Sequence, residues 1–170
     1  RAITLAEEAE ARGWVPIGAV VAHRGRIVAE GCSEVPGPPY RPGRHAEMVA
    51  LSRVPDDLWP RAAELTVVST LEPCVMCFGA CLLHGIGRIV FGALDQLGGA
   101  RHVLPHLPPY YAGGVGVPCW EGPLDPDRCD PLYHRAHRLF ATLPAGRALP
   151  LPEQVSGEPP SGPPGAEATG

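Results

Sequence analysis

Residues 64–92 read ELTVVSTLEPCVMCFGACLLHGIGRIVFG, and this stretch decides the fold class. Glu64 to Thr70 is a run of apolar and β-branched side chains, the composition of a buried strand. Cys74 to His84 follows as a helix that Gly85 stops, and Ile86 to Gly92 is a second apolar run of strand length. Strand, helix, strand implies two parallel strands joined by a crossover helix. The fold is therefore α/β.

Working outward, Ala2 to Arg12 keeps Ile3, Leu5, Ala6 and Ala9 on one stripe with Glu on the other, which predicts a first helix ended at Gly13. Pro16 to His23 and Arg26 to Cys32, separated by Arg24-Gly25, have the pattern of a β-hairpin. Val35 to Arg44 contains four Pro and two Gly and must be a loop, after which His45 to Arg53 reads as a short helix with Met48, Val49 and Leu51 inward. On the C-terminal side, Val115 to Trp120 is a candidate fifth strand. Pro131 to Leu143 is a last helix with Asp130 as its N-cap. No internal repeat is present.

The 170 residues are 45% apolar and 19% charged, which fits one domain. Gly (21) and Pro (22) are enriched in loops and beyond residue 143, where no aromatic residue occurs. We therefore assign a domain to residues 1–143 and a Pro/Gly-rich disordered tail to 144–170, which lacks the apolar area to offset chain ordering. All fourteen cations are Arg, and the net charge of −4 argues against binding a polyanion by bulk charge, although a local Arg patch can still grip phosphate. No apolar run reaches the ~20 residues of a membrane span. The acidic start of the chain lacks the basic-then-apolar pattern of a secretory signal. A cytoplasmic location follows as the expectation, and there the six Cys stay reduced and are read for metal or catalysis.

Two segments carry the chemistry. His45-Ala46-Glu47 opens one predicted helix, and Pro73-Cys74-Val75-Met76-Cys77 opens another. Cys74 and Cys77 share a helical face at i and i+3, and the positive end of the helix favours their thiolates. One His with two Cys suits zinc and leaves a tetrahedral position open, as catalytic sites do. Glu47, two residues past His45, is placed to take a proton from a water and hand it to a leaving amine. Each half alone also reads as a structural knuckle, a redox pair or a chance His-x-Glu. Together they form the pattern of zinc nucleobase deaminases.

With Val15-Pro16-Ile17-Gly18-Ala19-Val20, Thr70-Leu71-Glu72-Pro73-Cys74-Val75-Met76-Cys77 and Arg88-Ile89-Val90-Phe91-Gly92-Ala93, residues 2–100 resemble the cytidine and adenosine deaminase superfamily, in particular its bacterial tRNA adenosine deaminase branch. The resemblance implies a three-layer α/β/α sandwich around a five-stranded mixed sheet. It implies zinc held by His45, Cys74 and Cys77, with Glu47 as proton shuttle, and commonly a homodimer. It also implies that Val15, Pro16 and the backbone at Ala46 border the base pocket. The chain departs from that branch where an Asn normally reads the base: it contains no Asn and places Cys32-Ser33 there, which makes Ser33 the candidate substrate contact.

Elsewhere, Cys81 reads as packing, and Cys119 and Cys129 would pair only if oxidised. His134, Arg135, His137 and Arg138 read as a solvated helix face, with a phosphate-gripping Arg face or a second metal site as alternatives. Tyr110, Tyr111 and Trp120 are either stacking partners for a base or lids on the core. Three functions result. The first is a hydrolytic deaminase of a nucleobase, nucleoside or related heterocycle. The second is a tRNA deaminase converting a wobble adenosine to inosine, and the third is a non-catalytic zinc-binding partner, against which Glu47 argues.

Overall fold

The computed structural model describes residues 1–144. Strands β1 (Gly18–His23) and β2 (Arg26–Cys32) form the expected antiparallel hairpin, with Val20 opposite Glu30 and a register shift between Val21 and Ala22. Arg24 and Gly25 both take positive φ, 49° and 78°, the conformation that turns a two-residue hairpin with the twist of its strands. β3 (Leu65–Leu71) lies on the other side of β1 and antiparallel to it, with Ala19 opposite Ser69. Helix α3 (Val75–His84), stopped by Gly85 at φ 73°, carries the chain across to β4 (Arg88–Ala93), which runs parallel to β3. A short β5 (Cys119–Glu121) is parallel to β4, and the sheet order is β2-β1-β3-β4-β5.

Helices α1 (Ala2–Ala11) and α4 (Pro126–Phe140) cover one face of the sheet, and α2 (Ala46–Leu51) and α3 cover the other. The expected three-layer α/β/α sandwich around a five-stranded mixed sheet is therefore the observed fold. The core between sheet and helices is made of Val21, Leu65, Val67, Phe78, Ile89 and Phe91, all buried. Each such side chain contributes about 1.5–3 kcal/mol on leaving water. Two contacts set how close the helices come. A Cβ on Gly18 would stand 2.2 Å from Ala2 O of α1, and one on Gly31 would stand 2.4 Å from Ala46 O of α2.

Two readings change. The fifth strand begins at Cys119 rather than Val115, because Tyr110–Val115 forms a π-helical turn and Pro118 has no N–H to donate. The ladder starts with Cys119 N donating to Gly87 O at 2.9 Å. The last helix starts five residues earlier than expected, with Asp125 at the N-cap and Pro126 in the first turn, so the same start pattern applies one step upstream. Pro131 then lies inside the helix, where burial of Cys129 against Gly92, and of Leu132, Tyr133 and Ala136, holds the turns on either side. Residues Asp56–Glu64, which carried no sequence expectation, form 3-10 turns leading into β3. The assignment of a tail to 144–170 lies outside the described residues except at Pro144.

Candidate functional site

His45 is the N-cap of α2 and Cys74 the N-cap of α3, so two helices on the same face of the sheet present their first turns to one point. There the Nδ1 of His45 stands 3.5 Å from the Sγ of Cys74, and the two sulfurs of Cys74 and Cys77 stand 3.7 Å apart. All three ligand-type atoms lie within 4.8 Å of one another. Two sulfurs at about 2.3 Å from a tetrahedral zinc are about 3.8 Å apart, and a nitrogen at about 2.05 Å is about 3.6 Å from a sulfur. The observed spacings are those of three corners of such a site. Among the described residues no other group of three His, Cys, Asp or Glu side chains gathers in this way.

Without a metal the three side chains share protons among themselves, and binding one would release those on Cys77 and His45. A hydrogen bond with the Cys77 thiol, reinforced by one with His45, holds Cys74 down at about 4, so it is a thiolate at neutral pH. The same bond and burial push Cys77 well above the ordinary thiol value. Burial works to lower His45, but its hydrogen bond to Cys74 and the charges of Cys74 and Glu47 outweigh that and raise it. Glu47, in the first turn of α2, is only 3% exposed, and burial raises its pKa. Its carboxylate accepts from the Ser69 hydroxyl at 3.0 Å and from the Cys77 thiol at 3.4 Å. The carboxylate thus lies directly beside the three ligand-type atoms.

His45, Glu47 and Cys74 line a cavity of about 110 Å³ together with Ile17, Leu71, Glu72, Asp95 and Phe140. Of the expected pocket residues, Val15, Pro16 and Ala46 are buried behind this lining rather than in it. Ser33 is also behind it, with its N–H on Ile17 O at 2.9 Å. The Ser33 hydroxyl is buried and has no hydrogen-bond partner among the described residues. Glu72, Asp95 and Phe140 were not legible as pocket residues. Glu72 sits two positions before Cys74, but nothing in its spacing distinguishes an inward carboxylate from an outward one, and Phe140 enters only because α4 packs with its end 6.1 Å from the His45 ring.

The pattern for the cytidine and deoxycytidylate deaminase zinc-binding region matches residues 1–93, more than half of the chain. The chain belongs to this deaminase family. Zinc is accordingly its metal, in agreement with the His/Cys/Cys cluster. A tRNA-specific adenosine deaminase of Bacillus subtilis is 40% identical over 108 residues, 62% of this chain and 66%, just under two thirds, of that relative. A structure from studies of A-to-I editing by tRNA:A34 deaminases at the wobble position of transfer RNA superposes with a TM-score of 0.64, at 27% identity over 77% of this chain and 94% of the other. A guanine deaminase from Nitrosomonas europaea superposes with a TM-score of 0.59, at 26% identity over 79% of this chain and 80% of the other.

Other residues of this deaminase-family chain take structural places. Cys81 is fully buried in the core and lies outside the gathered His45, Cys74 and Cys77 atoms, so it is packing rather than a fourth ligand. Cys119 and Cys129 are both free thiols. Trp120 packs between Phe78 and Phe91, 5.3 Å from each ring, as part of the core. Tyr111 also packs on the core, whereas Tyr110 is 66% exposed. The Arg135 guanidinium donates to the carboxylate of Glu10 on α1 at 2.5 and 3.1 Å and links α4 to α1.

Proposed function

We propose that this chain is a zinc-dependent hydrolase that removes an exocyclic amine from a nucleobase, nucleoside or related heterocycle and releases ammonia. The observation that carries this reading is the spacing of His45 Nδ1, Cys74 Sγ and Cys77 Sγ at three corners of a tetrahedron, with the buried Glu47 carboxylate beside them. His45, Cys74 and Cys77 would hold the metal, which when bound supplies a Lewis acid and an acidified water. Glu47 would take one proton from the attacking water and pass it to the ring nitrogen, then take the second from the new hydroxyl on the reacting carbon and pass it to the amine, which leaves as ammonia while the oxygen stays as the ring carbonyl. Ser69 orients that carboxylate by its hydroxyl. Burial favours the protonated form of Glu47, which is the state needed in the second half of the reaction. Ile17, Leu71 and Phe140 give the ring apolar walls. Ser33 is proposed to shape substrate binding through Ile17, whose carbonyl accepts its N–H, with Val15, Pro16 and the Ala46 backbone fixing that wall.

A second reading, conversion of a tRNA wobble adenosine to inosine, is favoured by the names of the relatives at about 40% identity. Against it stands the net charge of −4, which offers RNA no bulk attraction, and Arg135, one of the Arg pair that phosphate would use, is paired with Glu10. The lesser reading, a non-catalytic zinc-binding partner, leaves Glu47 without a purpose. We further propose a homodimer. Val75, Met76 and Leu83 leave an apolar stripe exposed on α3, a surface that a second copy would cover. Residues 1–143 would carry the activity, in the cytoplasm, where the free thiols stay reduced. Among the described residues no helix is long and apolar enough to cross a membrane.

The test is ammonia release over purines, pyrimidines, their nucleosides, triazines and a transcribed tRNA, at two salt concentrations. Release from a small compound, abolished in Glu47→Ala, supports the first reading. Inosine formation confined to RNA, with a steep fall in affinity as salt rises, supports the second.

A further inference from the structure

Glu72 is a second acidic residue at the pocket wall, and its carboxylate is wholly buried beneath that wall. A charge in that position must be matched by donors. It accepts from Asp95 N at 3.1 Å and Arg101 N at 2.9 Å, and it pairs with the Arg101 guanidinium. The same guanidinium donates to Asp95 O at 2.9 Å. Arg101 is thus the one cation on Glu72 among the described residues, and it also grips the start of the segment that ends at itself.

The segment 95–101 is stitched along its length. Asp95 accepts from Leu97 N, Gly98 N and the Tyr133 hydroxyl at 3.1, 2.9 and 3.2 Å. Gly99 forms a bridge to Cys74, and Ala100 N donates to Pro73 O at 3.0 Å. A Cβ on Gly99 would stand 2.3 Å from Glu72 Oε2, so the main chain must pass against the carboxylate itself. Two adjacent glycines make this segment costly to order, and its fixed shape depends on the bonds that converge on Glu72.

We infer that Arg101 is a positioning residue for the pocket: by spanning the buried Glu72 carboxylate and the Asp95 carbonyl it locks the 95–101 segment, and with it the part of the cavity wall to which Asp95 belongs. The inference rests on the proposed reading in so far as the cavity takes the ring of a substrate. It assigns Arg101 to binding rather than to bond-making. Glu47 is oriented by Ser69 and the three ligand side chains sit on the first turns of α2 and α3, and the hydrogen bonds of none of these side chains involve Arg101.

The experiment compares zinc-loaded wild type, Arg101→Ala and Arg101→Lys by amide hydrogen exchange, zinc content and steady-state ammonia release. Arg101→Ala should raise exchange in residues 95–101 by about tenfold or more while β3 and β4 stay protected. Zinc per chain should be unchanged, and KM should rise about tenfold with kcat within about threefold of wild type. Arg101→Lys, which keeps a cation able to reach Glu72, should recover most of both effects. Unchanged exchange in the segment, a fall in kcat at constant KM, or a Lys variant no better than Ala would each overturn the assignment. If wild type releases ammonia from no compound, the proposed function fails separately. The exchange comparison then still decides: segment-specific loosening in Ala, reversed in Lys, supports the positioning role, and its absence ends it.

Discussion

Gly31 on β2 lies against Ala46 on α2 so closely that a Cβ at Gly31 would stand 2.4 Å from the Ala46 carbonyl oxygen and 2.5 Å from Ala50 N. The helix that carries Glu47, and that His45 caps, is seated directly on the hairpin backbone at this point. Gly31→Ala should therefore push α2 off the sheet, lowering stability by about 1–3 kcal/mol and weakening zinc retention against a chelator. Gly18→Ala is the control. Its Cβ would meet Ala2 O at 2.2 Å on α1, which bears no ligand, so it should cost comparable stability and leave zinc retention unchanged. Melting curves and chelator competition on both variants check the pair.

Cys74→Ala should lose stoichiometric zinc, measured by metal analysis. Because the site joins the starts of α2 and α3, metal loss should also lower the melting temperature. Full zinc occupancy in this variant would remove Cys74 from the ligand set.

Glu47→Gln should keep zinc and fold while losing about 10²–10⁴-fold in turnover, since the amide retains the shape of the carboxylate but cannot carry a proton. The measurement is kcat beside zinc content. Wild-type turnover in this variant would require another proton carrier.

Glu47 also makes a prediction for pH. Its folded pKa is raised by burial, so the folded metal-stripped protein holds that proton more tightly than the unfolded chain does. This contribution to stability is fully present below the ordinary carboxylate value near 4.5 and is lost as pH rises through the folded value. Denaturant titrations of chelator-treated protein should show Glu47→Gln gaining on wild type as pH rises through that window. A constant difference across it would mean that the carboxylate is not desolvated.

The Arg135–Glu10 pair is about two-fifths exposed on both partners. A double-mutant cycle should give a coupling of only about 0–1 kcal/mol, as expected for a solvated pair. Arg135→Ala should leave the salt dependence of substrate binding unchanged. A reduced salt slope in that variant would return Arg135 to a phosphate contact and favour the RNA reading.

The local chemistry of the chain was enough to determine the hairpin, the crossover and the residue types of the candidate ligand set. β-branched runs, Arg24-Gly25, Gly85 and the residues at two helix starts act over a few positions and leave their mark in spacing. The start of α4 was legible in kind but not in place, because Asp125-Pro126 and Asp130-Pro131 offer the same N-terminal pattern and only the packing of Cys129 on Gly92 distinguishes them. The pocket wall was decided by tertiary structure alone. Glu72, Asp95 and Phe140 come from a strand end, a loop and the far end of a helix, and no periodicity links them. A ligand set reflects bonding rules that a short motif can hold, whereas a cavity is whatever volume separately packed elements leave between them.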